Sequence, residues 1–160
     1  VPSGENADYF RFLIKLYEFW DDYESKQMLE NNILNCARNS LLLQDCDFYY
    51  CKFNAEIVEL LLRENYENAY EKIKETVGEK NYFDEQFIRK NVELGQNVAA
   101  ILQDETKFIY MNKRKIELIM EEDLDGALTE VNEWIELLPN DGEFTKLKRD
   151  IIDKQLKERN

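Results

Sequence analysis

The segment from Asp123 to Pro139 constrains the fold more than any other part of the chain. Polar Asp123-Leu124-Asp125-Gly126 leads into Ala127, Val131 and Trp134 at positions i, i+4 and i+7, and Pro139 stands twelve residues after Ala127. Residues at that spacing share one helix face, a small residue on the face lets a neighbouring helix approach closely, and Pro cannot continue the helix. The segment therefore reads as one member of a closely packed pair of antiparallel helices. The same offsets recur from Ala69 through Ile73 and Thr76 to Asn81, with Asn standing where Pro would be.

This order resembles the second helix of a tetratricopeptide (TPR) repeat, in which a polar turn precedes a small residue, two packing positions and a terminating Pro. Counting back from Ala127, the large, small and aromatic positions of the paired front helix fall on Met111, Lys115 and Leu118, and Lys115 departs from the family's small residue. Counting back from Ala69, they fall on Phe53, Ile57 and Leu60, with Ile57 larger than the usual Gly or Ala. The two Ala anchors lie farther apart than one period of about 34 residues and closer than two, so an additional element is expected between them.

The rest of the chain keeps helical periodicity. Phe10, Leu13, Ile14, Tyr17 and Trp20 mark a first helix, and Met28, Leu29, Ile33, Cys36 and Ala37 a second. A third ends near Glu64. Phe83, Phe87, Leu94, Val98, Ile101 and Leu102 predict one long helix to about Gln103, after which Asp104-Glu105-Thr106 restarts a helix carrying Phe108, Ile109, Ile116, Ile119 and Met120. Asn140-Asp141-Gly142 predicts a turn, and Phe144, Leu147, Ile151 and Leu156 a final amphipathic helix. That helix resembles the solvating cap of many TPR arrays, whose outer face is polar because nothing stacks on it.

Five Gly and two Pro in 160 residues argue against a turn-rich β fold, and 44% apolar content is enough for a real core. No apolar run approaches the roughly 20 residues that span a bilayer. A net charge of −13 disfavours nucleic acid and anionic membranes as partners. The opening Val1-Pro2-Ser3-Gly4 reads as a cloning remnant or the start of an excised domain, with residues 1–6 flexible and 7–158 one TPR-like helical domain. Cys36, Cys46 and Cys51 form an odd set without metal-type spacing, no glycosylation sequon is present, and a reducing cytoplasmic or nuclear setting is expected.

Catalysis has little to work with. The chain has no His, which removes imidazole metal triads and the Ser-His-Asp and Cys-His machines, and its scattered glycines open no phosphate loop. Asp21-Asp22 has Ser25 where an Asp-rich Mg²⁺ motif needs another carboxylate, and Glu121-Glu122-Asp123 reads as a solvated turn. No catalytic residue, metal site or cofactor is assigned.

Binding residues are better represented. TPR co-chaperones of the heat-shock chaperones clamp a C-terminal carboxylate with Lys, Arg and Asn on their front helices; the resemblance puts that Arg position on Lys113, the Lys position on Ile109, and the Asn position on Ala55, beside Asn54. Arg11 and Lys15 stand four apart on one helix face, as a clamp pair would. The aromatics Phe48-Tyr49-Tyr50 and Tyr9-Phe10, with Phe12, exceed what one stripe buries, which suits either a partner groove or packing between hairpins. Arg11, Lys15, Tyr49, Tyr50, Asn54 and Lys113 are thus the candidate partner-binding residues.

The expectation is an all-α, TPR-like helical-hairpin solenoid of about eight antiparallel helices, a non-enzymatic adaptor or scaffold that holds a peptide or partner helix in a groove. The alternative is a structural subunit of a multiprotein complex, for which self-association of the isolated chain would speak. A carboxylate-clamp co-chaperone and a helical enzyme rank below both.

Overall fold

The computed structural model describes residues 56–78 and 85–159, together with the single helical position Asn31. Among the described residues the chain is all-helical. Residues 56–62 form α1, followed by α2 (Tyr66–Gly78), α3 (Glu85–Leu102), α4 (Glu105–Met120), α5 (Leu124–Leu137) and α6 (Gly142–Arg159). The first helices expected from the sequence, Phe53, and the Asn81 position lie outside the described residues. None of the described helices is long and apolar enough to cross a membrane.

The chain divides into two compact units whose border falls inside α4, between Asn112 and Lys113. In the first described stretch, 56–112, successive helices fold back on one another. Lys72 of α2 pairs with Glu56 of α1 at 2.7 Å, two residues equidistant from the turn at Glu64, as an antiparallel hairpin requires. Gln96 donates to Asn112 Oδ1 at 2.9 Å, the two equidistant from Asp104 beside the turn at Gln103, so α3 and α4 form another. The Tyr70 hydroxyl donates to the Lys107 carbonyl at 3.0 Å, and the Lys74 ammonium lies 4.9 Å from the Tyr110 ring centroid, so α2 runs in the same direction as the first half of α4.

Both tight turns share one device. Glu64 (φ 58°) and Gln103 (φ 53°) adopt the left-handed conformation, the N–H of the next residue bonds back five residues (Asn65 to Leu60, Asp104 to Ala99), and that same residue then starts the next helix. Asp104 accepts from the Lys107 N–H through its side chain at 3.1 Å. The restart expected at Asp104 is therefore a capped one. The core of this stretch is made by Ile57, Leu61, Ala69, Tyr70, Ile73, Val77, Phe87, Val92, Leu94, Val98 and Met111, all nearly excluded from solvent. Asn91 lies among the fully buried residues of α3; its amide donates to the Phe87 carbonyl at 2.9 Å while its Oδ1 has no partner.

In the second stretch, 113–159, α5 starts at the N-cap Asp123, whose carboxylate accepts the Gly126 N–H at 2.9 Å. A β-carbon at 126 would collide with the Asp123 carboxylate, so Gly there permits the cap. Ala127, Val131 and Trp134 lie on one buried face, at 0%, 0% and 2% exposure, and the helix ends at Leu138, just before Pro139. The sequence pattern and the helix therefore coincide. In α6, Phe144 and Ile151 are buried and Leu147 half-buried, but Leu156 is 53% exposed. This corrects the expected stripe: twelve residues from Phe144 at 3.6 per turn place position 156 about a third of a turn off the buried line.

Candidate interaction surface

Of the six candidate binding residues, Arg11, Lys15, Tyr49, Tyr50 and Asn54 lie outside the described residues. Lys113 is described, and it is engaged. Its ammonium donates to Glu143 Oε2 at 2.6 Å and to Asp141 Oδ2 at 3.1 Å, and lies 4.9 Å from the Phe144 ring centroid. The side chain is only 14% exposed. Asp141 serves two donors at once, because its other oxygen accepts the Glu143 N–H at 2.9 Å and so caps α6. Lys113 thus ties α4 to the start of α6 by charge-assisted bonds and a cation–π contact. An incoming carboxylate would have to displace two that are already there.

The aromatic beneath completes this arrangement. Phe144 stacks on Trp134 with ring centroids 5.3 Å apart and planes 10° from parallel. The last packing position of the opening motif therefore meets the first buried residue of α6, and Gln155 donates to Asp125 at 2.8 Å at the other end of the same antiparallel pair. Periodicity announces Trp134 and Phe144 as packing residues, but nothing local announces that they stack on each other or that the acids 28 and 30 residues away reach Lys113.

Lys115, where the resemblance expects a small residue, does not enter the core. Its ammonium reaches Glu130 of α5 at 2.9 Å and its side chain is 42% exposed, while Ile116 and Leu118 beside it are buried. A long stem with its charge carried outward lets this hairpin form without a small residue there.

An open cleft of about 370 Å³ lies at the start of α5, lined by Glu122, Asp123, Asp125, Gln155, Glu158 and Arg159 among others. Two of its groups are committed, Asp123 to the cap and Asp125 to Gln155. Among the described residues no group of His, Cys, Asp or Glu is arranged to hold a metal ion.

No protein-family model, curated protein or solved structure matches the chain.

Proposed function

We propose that the chain is a TPR-like interaction module of about eight helices, which holds a peptide or partner helix in a groove and carries out no chemistry of its own. The observation that supports this best is the paired pattern on α2 and α5. Ala69, Ile73 and Thr76 are buried at the same offsets as Ala127, Val131 and Trp134, each on the second helix of a hairpin. A scaffold of repeated hairpins is suited to displaying an extended binding face. The carboxylate-clamp version is the weaker form of this reading, since Lys113 already holds Asp141 and Glu143.

The test is selection of binders from a random 15-residue peptide display library, followed by calorimetric titration of the selected peptides. Reversible one-to-one binding that is lost on Lys15→Glu and on Tyr49→Ala supports the reading. Failure to select any peptide, together with a dimeric or larger species in light scattering, would favour the structural-subunit alternative.

A further inference from the structure

The outer face of α6 departs from what a solvating cap needs. Ile152 and Leu156, one turn apart, are 37% and 53% exposed and form an apolar pair on the solvent side. At 3.6 residues per turn, the residues within about 60° of that pair's midline are Gly142, Thr145, Lys148, Arg149 and Arg159. Every charge on this strip is basic. Of the acids of the helix, Asp153 stands about 80° from the midline, at the strip's edge, and Glu143, Asp150 and Glu158 lie on the opposite side. Lys148, Arg149 and Arg159 enter no ion pair among the described residues. In a chain of 34 acidic and 21 basic residues, an unpaired, single-sign basic strip around an exposed apolar pair is a local reversal of the overall charge. The helix macrodipole accounts for basic residues in the last turn, such as Arg159, but not for Lys148 and Arg149 near the start.

We infer that this strip, Ile152 and Leu156 flanked by Lys148, Arg149 and Arg159, is a docking site for an acidic amphipathic helix of a protein partner. Two apolar residues one turn apart on the partner pack on Ile152 and Leu156, and flanking carboxylates meet the three cations. A second copy docking through its own α6 is opposed, because like strips repel. An anionic membrane or nucleic acid meets the field of a chain whose net charge is −13. The inference is argued from α6 alone and does not rest on the proposed peptide groove.

The probe is a fluorescein-labelled, 18-residue helical peptide with two leucines four positions apart flanked by glutamates, titrated with the full chain and followed by anisotropy at low and physiological salt. Saturable binding is expected, with amide shift changes confined to residues 145–159. It falls at least tenfold with Ile152→Ser/Leu156→Ser and with Lys148→Glu/Arg149→Glu, and the latter variant now takes the lysine-for-glutamate peptide. Lys15→Glu, in the proposed groove, leaves it unchanged. The inference is overturned by absence of saturable binding, by equal binding of the glutamate and lysine peptides, by loss on Lys15→Glu, or by binding only to phosphatidylserine vesicles or duplex DNA.

Discussion

Gly95 of α3 faces Met111 of α4 so closely that a β-carbon at 95 would stand 2.6 Å from both the sulfur and the terminal methyl of Met111. Met111 is fully buried, so it has little room to withdraw. The packing of α3 on α4 at this point thus requires the absence of a side chain at 95.

Gly95→Ala sets two effects against each other. Ala gains about 1 kcal/mol of helix propensity, while overpacking a core contact costs about 1–3 kcal/mol. Urea unfolding is expected to show a net loss of about 1 kcal/mol, reversed to a gain in a Met111→Val background. Additive effects of the two changes would mean that the close approach carries no energy.

Glu64 and Gln103 occupy left-handed positions without being glycine. Such residues cost about 1–2 kcal/mol in that conformation, part of which Gly returns in unfolded-chain entropy. Glu64→Gly and Gln103→Gly are each expected to stabilise by about 0.5–1 kcal/mol in thermal or urea melts. These sites show why helix ends were only partly legible. The stop near Glu64 and the restart at Asp104 follow from periodicity and capping chemistry, but without Gly no residue type marks the reversal itself.

Tyr70 gives a pH signature. Burial, then the neighbouring Tyr110, Glu71 and Asp104, pushes its phenol well above the ordinary value of 10.0. The folded state therefore keeps a proton that the unfolded chain gives up first, so its contribution is complete below about pH 10 and is lost as pH rises beyond. Tyr70→Phe should cost about 1 kcal/mol at neutral pH, through the lost bond to Lys107, and make the decline above pH 10 shallower. An unchanged slope there would assign that decline to other groups.

Lys113 separates structure from binding. Lys113→Met leaves Asp141 and Glu143 facing each other without their shared cation and is expected to destabilise by about 1–2 kcal/mol, with a Lys113/Asp141 double-mutant cycle showing a coupling near 1 kcal/mol. Zero coupling would return Lys113 to the pool of available binding cations.

The helix bounds from Leu102 to Leu137 were readable because periodicity, the caps at Asp104 and Asp123, and Pro139 agree there. The contents of the candidate site were not. Lys113 is basic and stands where the resemblance puts a clamp residue, yet its use is decided by acids brought to it by the fold. Leu156 continues an apolar count along the sequence but drifts off the buried line, and that drift exposes the pair on α6.

The proposed groove of repeated hairpins is open to direct test. The most direct measurement is calorimetric titration of the full chain with display-selected peptides, repeated for Lys15→Glu and Tyr49→Ala. One-to-one reversible binding abolished by either change is the predicted result; no selectable peptide and a self-associated chain would contradict it.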